Sequence, residues 1–195
     1  KLTERDPTMQ GWDEIPEEQR PFQRRLMEVY AGFVEHTDTQ VMRLVEGLLE
    51  RGLRGNTLVI YIWGDNGSSS EGVRGTISEL LAQNQLDAPF EQQITALNEL
   101  GGLDALGSAA VDNMYHAGWA WAGSTPFRGT KLVASYFGGT RNPMVISWPK
   151  RIKPSSEIRS QFHHVVDIAP TLYDILDITP PTIVNGHAQM QFDGV

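Results

Sequence analysis

Thr57-Leu58-Val59-Ile60-Tyr61-Ile62-Trp63-Gly64-Asp65-Asn66-Gly67 decides the fold class of this chain. Its first seven residues form a continuous apolar run rich in β-branched and aromatic side chains. Such a run predicts a strand covered on both faces, because a strand facing water on one side alternates polar and apolar residues. Gly64, Asp65, Asn66 and Gly67 then stop the strand abruptly, since these residue types favour turns. Upstream, an amphipathic pattern ends at Gly52, just before the run begins. A helix, a tight Gly turn and a buried strand in succession predict an α/β fold.

Working outward, residues 1–20 read as a polar lead-in, and Pro7, Pro16 and Pro21 punctuate the start. The chain begins without Met, so its first residue is not expected to be the natural N-terminus. A long helix is predicted from about Pro21 to Arg51. Leu26, Val29, Tyr30, Phe33, Val34, Val41, Leu44, Val45, Leu48 and Leu49 recur at three- and four-residue steps and make one apolar face. Pro21 suits the first turn and Gly52 the stop. This helix is expected to lie on a sheet. Residues 21–72 thus carry helix, strand and the Asp-Asn-Gly turn.

Residues 73–110 read as an insertion, a surface excursion with two short helices around Ile77–Leu81 and Ile94–Leu100. Residues 111–130, rich in Trp, Gly and Ala, read as a loop of functional length. Lys131–Phe137 and Met144–Trp148 are predicted strands. A late helix is predicted over Asp167–Leu176, with Asp167 as cap and Pro170 in the first turn. The tail after Pro180-Pro181 shows no strong pattern.

Composition narrows the function classes. Hydrophobic residues make up 40% of the 195 residues, enough for a packed core. The formal charge is -8, from 24 acidic and 16 basic residues, which argues against a nucleic-acid partner or an anionic membrane surface. No apolar run approaches the ~18 residues of a membrane span. Cysteine is absent, which removes disulfides, thiolate metal sites and a Cys nucleophile from this chain. That absence leaves the compartment open.

Several residues are candidates for chemistry. Asp65 and Asn66 sit just past a buried strand, where α/β folds gather ligands. A carboxylate and an amide carbonyl are hard oxygen donors, suited to Ca²⁺ or Mg²⁺. The competing reading is an ordinary turn, because Asn-Gly is a strong hairpin signal. The serines that follow are a poor second hairpin strand. Lys131 could meet an anionic ester as a point charge, or could be a solvated surface Lys; Arg128 carries the same ambiguity. His36, His116, His163, His164 and His187 show no helical ligand spacing, and each is more often a core or surface residue than a ligand. His116, in the Trp-rich loop, is the histidine to test as a substrate contact. No Gly-x-Ser-x-Gly, phosphate-binding loop or dinucleotide fingerprint occurs.

Taken in order, five stretches resemble the sulfatase family of the alkaline phosphatase superfamily, closest to the bacterial arylsulfatases. They are Tyr30–Asp38, Thr57–Gly67, Gly118-Trp119-Ala120 with Thr125-Pro126-Phe127-Arg128 and Lys131, Gly138–Pro143 with Trp148-Pro149, and Gln161–Thr171. The resemblance implies part of a three-layer sandwich with a central mixed sheet. It implies that Asp65 and Asn66 ligate Ca²⁺, in preference to Mg²⁺, and that Lys131 contacts the sulfate ester. The family nucleophile is a formylglycine made from Cys or Ser in Cys/Ser-x-Pro-x-Arg. Outside the Thr125-Pro126-Phe127-Arg128 and Trp148-Pro149 blocks already assigned, where Ser124 and Ser147 happen to complete the Ser-x-Pro-x-Arg spelling, nothing here matches that motif. Nothing matches the first metal-binding Asp pair or the upstream Lys, His and Arg that hold the sulfate.

The resemblance therefore covers the C-terminal portion of such an enzyme. The expectation is a fragment of a sulfuric ester hydrolase, inactive alone, acting on a small sulfate ester only together with the missing N-terminal part. Unpaired sheet edges would favour assembly with that part, or self-association. The alternatives are a phosphonate monoester or phosphodiester hydrolase of the same superfamily, and a non-catalytic binding or assembly module.

Overall fold

Helix α1, Arg20–Glu50, carries Pro21 in its first turn and closes as the sequence predicts. Gly52 N–H bonds the Leu49 carbonyl at 2.9 Å and Leu53 N–H bonds the Leu48 carbonyl at 2.9 Å. These are the two bonds that satisfy otherwise orphaned carbonyls at a glycine-terminated helix end. The computed structural model describes residues 2–86 and 88–194. The chain divides into two units, Lys1–Pro154 and Ser155–Val195.

Only the N-terminal third of α1 is buried. Phe22 and Leu26 join Leu97, Ala105, Leu106 and Val111 in one core, with Val29, Ile77, Phe90, Ile94 and Tyr115 packed against it. Phe22 meets Phe90 edge-on at 5.7 Å between ring centres. The buried third of the helix thus packs on helical segments, where the sequence reading expects a sheet. Further along its apolar stripe, Phe33 is 67% exposed and Leu44 68%.

The segment expected to be a surface excursion supplies much of this core. It forms α2, Glu79–Gln83, and α3, Phe90–Glu99, close to the two short helices predicted. Leu97 and Leu106 are 1% and 2% exposed. Its weak periodicity reflects short elements, since five- and ten-residue helices offer few repeats for a 3.6-residue pattern.

Strand β1, Val59–Ile62, pairs antiparallel with β2, Met144–Ser147, in the register Val59↔Ser147 to Ile62↔Met144. Among the described residues this is a two-stranded sheet. Helix α4, Ala117–Ser124, forms inside the stretch read as a loop. Its Trp119 indole donates to the Gln23 carbonyl at 3.1 Å, which ties it to α1. The strand predicted at Lys131–Phe137 does not form. That stretch is a series of turns, with Leu132 at φ +72°, leading into α5, Phe137–Thr140. Backbone bonds such as Val133 N–H to the Thr130 carbonyl and Tyr136 N–H to the Val133 carbonyl turn the chain back on itself, so local turns replace strand pairing.

In the second unit, the late helix forms as α6, Ile168–Ile175. The Asp167 carboxylate accepts from His164 N–H at 2.8 Å in the turn before it. The tail forms a hairpin, β3 (Ile183–Val184) with β4 (His187–Ala188). Asn185 and Gly186 take φ of +52° and +82° between the strands, the left-handed pair that two-residue hairpins need.

Candidate functional site

Asp65 and Asn66 stand where β1 leaves its partner. The last bond across the pair is Trp63 N–H to the Pro143 carbonyl at 3.0 Å. Proline has no N–H to return, so the ladder ends there. Asp65 is exposed and Asn66 half-buried. The Asn66 side-chain amide donates to Asp65 Oδ1 at 2.7 Å, which sets the two oxygen-bearing side chains next to each other. No hairpin follows, so the turn reading of Asn66-Gly67 does not hold in its usual form.

The loop is gripped from behind by residues 138–142. The Asn142 carboxamide, oriented as its neighbours dictate, donates to the Asn66 carbonyl at 3.1 Å and accepts from Asn66 N–H at 3.0 Å. Gly67 N–H donates to the Gly139 carbonyl at 2.9 Å. A Cβ on Gly67 would overlap the Gly138 carbonyl. Glycine is needed here because two backbones touch, which explains physically why Asn66-Gly67 and Gly138-Gly139 belong to one site.

Lys131 is brought to the same place through the backbone. Its N–H donates to the Ser68 carbonyl at 2.9 Å. Its ammonium lies 2.5 Å from Glu71 Oε2, with both side chains about two-thirds buried, at 33% and 30% exposed. Glu71 also accepts from the Ser69 hydroxyl at 2.8 Å. The hydrogen bond from Lys131, and then that from Ser69, holds the Glu71 carboxyl below its usual range. The Lys131 ammonium is correspondingly raised, first by the bond to Glu71, with smaller contributions from the charges of Glu71, Asp65 and Glu79. Ser70 and buried Thr130 share a hydrogen bond at 3.0 Å alongside. Sequence reasoning missed Glu71, Ser69 and Asn142. Glu71 sits in a serine-rich stretch that reads as plain linker, and Asn142 precedes Pro143 and reads as punctuation.

His116 is placed differently from the other candidates. It is 2% exposed and caps α4, its Nδ1 accepting from Gly118 N–H at 2.9 Å. Its Nε2 faces Gln10 Oε1 at 3.3 Å. Both ring nitrogens are therefore engaged within the protein, as in a neutral imidazole. Burial, and then the charge of Arg74, pushes its pKa down. Arg128 stacks its guanidinium 4.6 Å from the Tyr136 ring centre. Tyr115 links the site to the core. Its ring meets Tyr30 of α1 at 5.0 Å, burial pushes its hydroxyl pKa up, and hydrogen bonding to Ser68 and Ser69 partly offsets this.

An open cleft of about 880 Å³ lies beside these groups, lined in part by Tyr30, His36, Glu71, Glu79, Tyr115 and Lys131. Lys131 and Glu71 line this cleft, and the Lys131 N–H bond to the Ser68 carbonyl ties the Lys segment to the stretch that follows Asp65-Asn66-Gly67. The sulfatase family model matches this chain over residues 4–178. The chain belongs to the sulfatase family. It is 31% identical over 171 residues to an uncharacterized sulfatase of Schizosaccharomyces pombe, covering 88% of this chain and 28% of that protein. It is 27% identical over 171 residues to an arylsulfatase of Klebsiella aerogenes, covering 87% of this chain and 33% of that protein. The chain therefore spans about a third or less of the length of these curated relatives.

Sulfatase membership is compatible with the mixed helix and strand content seen here. Among the described residues, no group of three or more His, Cys, Asp or Glu side chains is arranged to hold a metal ion. No described helix is long and apolar enough to cross a membrane.

Proposed function

We propose that this chain contributes the Asp65, Asn66 and Lys131 part of a sulfuric ester hydrolase site acting on an aryl sulfate or a similar small ester. The observation that carries this reading is the double tie of Lys131 to the stretch after Asp65-Asn66-Gly67, its N–H to the Ser68 carbonyl at 2.9 Å and its ammonium to Glu71 Oε2 at 2.5 Å. A sulfate ester needs groups that offset negative charge on its oxygens as the S–O bond breaks.

Asp65 and Asn66 fit a hard divalent cation, Ca²⁺ before Mg²⁺. Both present oxygen, both are reachable from solvent, and their side chains already touch. They are two of the ~6–8 oxygens that Ca²⁺ takes, so further oxygen ligands are needed to complete the site. When bound, such a cation supplies Lewis-acid stabilisation of an ester oxygen. His116 has no ring nitrogen free for an ester oxygen, so substrate contact falls to Lys131 in this reading.

Lys131 has three donor protons, and Glu71 takes one. The others can meet the bridging oxygen of the ester and stabilise it as it leaves. Glu71 keeps the ammonium charged and limits its rotation. The chain has no Cys, and its two Ser-x-Pro-x-Arg spellings, Ser124-Thr125-Pro126-Phe127-Arg128 and Ser147-Trp148-Pro149-Lys150-Arg151, fall in the blocks that carry the Lys and Trp-Pro resemblance, so in this reading the formylglycine nucleophile of the family comes from elsewhere in the full protein. In this reading the 195 residues alone are inactive. The exposed apolar stripe of α1 and the exposed Val145 and Ile146 of β2 are surfaces for the rest of the protein or for a second copy to cover.

The test is aryl-sulfate hydrolysis by the full-length gene product, with Lys131→Ala beside it. Turnover that collapses in the variant supports the assignment. Turnover confined to phosphonate or phosphate diesters would move the reading to that branch of the superfamily. A well-folded, metal-loaded product with no turnover on either would point to a binding or assembly module.

A further inference from the structure

Asn66 can serve a cation only if its backbone is held, because its side chain hangs on a loop that has left the sheet. The β1–β2 ladder stops at Pro143, which accepts from Trp63 N–H and has no N–H to give back. Unsupported, Gly64 to Gly67 would be a solvent-facing loop with several backbone conformations open to it. One residue before Pro143, the side chain of Asn142 takes over the pairing. Its carboxamide offers one acceptor and one donor side by side, and the two bonds to Asn66, at 3.0 and 3.1 Å, satisfy that residue's N–H and carbonyl together. With its backbone groups engaged, Asn66 keeps its side-chain amide for Asp65, at 2.7 Å. The adjoining Gly67 N–H bond to the Gly139 carbonyl fixes the next peptide from the same segment.

We propose that Asn142 is a positioning residue for the Asp65–Asn66 oxygen pair, acting as a side-chain extension of strand β2 that clamps the Asn66 backbone. The proposal rests on the reading of Asp65 and Asn66 as cation ligands, and it goes beyond that reading by naming what holds them. Asn142 itself touches neither cation nor ester. Its effect is on the number of conformations the loop must give up when an ion binds, so removing it weakens binding more than it weakens folding.

The experiment is a Ca²⁺ titration by calorimetry of the full-length gene product, as wild type, Asn142→Ala and Asn142→Gln, paired with metal-free thermal melting and amide hydrogen exchange at Asn66. Asn142→Ala is expected to weaken Ca²⁺ binding about 10–100-fold, the usual loss when an outer-shell partner of a metal ligand is removed. Its metal-free melting should stay close to wild type, and the Asn66 amide should exchange faster. Asn142→Gln, whose amide is displaced by one methylene, should fall between them, and it carries the comparison if the alanine variant does not fold. Unchanged Ca²⁺ affinity in both variants, with the wild type binding, overturns the clamp and leaves the cation reading standing. Weaker binding matched by an equal loss of metal-free stability also overturns it. A folded wild type that binds neither Ca²⁺ nor Mg²⁺ removes the cation reading and the clamp with it.

Discussion

The Lys131 ammonium sits 2.5 Å from Glu71 Oε2, and this pair joins the serine-rich stretch after Asp65-Asn66-Gly67 to the segment that follows Thr125-Pro126-Phe127. Glu71→Gln should therefore act on Lys131 more than on the fold. Both side chains are partly solvated, so the pair contributes less than about 1 kcal/mol to stability. Glu71 titrates below its ordinary value, so its share is present above the ordinary carboxylate range and is lost as pH falls through the folded value. Lys131 titrates above its ordinary value, so its share is present below the ordinary lysine range and is lost as pH rises through the folded value. In Glu71→Gln the alkaline limb of the activity profile of the full-length protein should move to lower pH, with the melting temperature little changed. A pH–rate profile checks this.

His116 should make the fold sensitive to mild acid. Its folded pKa lies below the ordinary 6.5, chiefly through burial. The stabilisation it gives as a neutral cap is complete above that ordinary value and erodes as pH falls below it toward the folded value. Protonation removes the Nδ1 acceptor from Gly118 N–H. Urea unfolding at stepped pH should show stability declining below about pH 6.5, and His116→Asn should flatten that decline. His116→Ala should cost about 0.5–2 kcal/mol, the usual range for a lost N-cap.

Gly67→Ala tests the backbone contact directly. An added Cβ overlaps the Gly138 carbonyl, and neither backbone can yield cheaply. Overpacking of this kind typically costs about 1–3 kcal/mol. Denaturant unfolding should show that loss, together with weaker cation binding. A neutral variant would mean the two loops are not in contact.

Leu97→Ala examines the segment that reads as a surface insertion. Leu97 is 1% exposed and packs in the same core as Phe22 and Leu26. Its truncation should cost about 2–5 kcal/mol, the range for a leucine-sized cavity in a packed core. A loss under 1 kcal/mol by chemical unfolding would restore the surface reading.

Elements with strong local signals are legible in the sequence. Helix α1, strands β1 and β2 and helix α6 fall where periodicity, Gly52, Pro143 and Pro170 place them. Lys131–Phe137 is not legible, because its apolar residues look like a strand while turn bonds and a left-handed Leu132 decide otherwise. The two Asn-Gly pairs behave oppositely. Asn185-Gly186 makes a two-residue hairpin, whereas Asn66-Gly67 is held open by Asn142 and Gly139, more than 70 residues away in sequence. Asp65, Asn66 and Lys131 are singled out as candidates by their motifs and the resemblance they carry. Glu71 and Asn142 are not, because their contacts form only once distant segments meet.

The most direct test of the central claim is aryl-sulfate turnover by the full-length protein in the presence of Ca²⁺, wild type against Asp65→Ala. The account predicts a loss of turnover of at least about 100-fold, since a metal ligand supplies several kcal/mol to the reaction, with the fold intact by circular dichroism. Asp65→Ala retaining wild-type turnover at saturating substrate would contradict it.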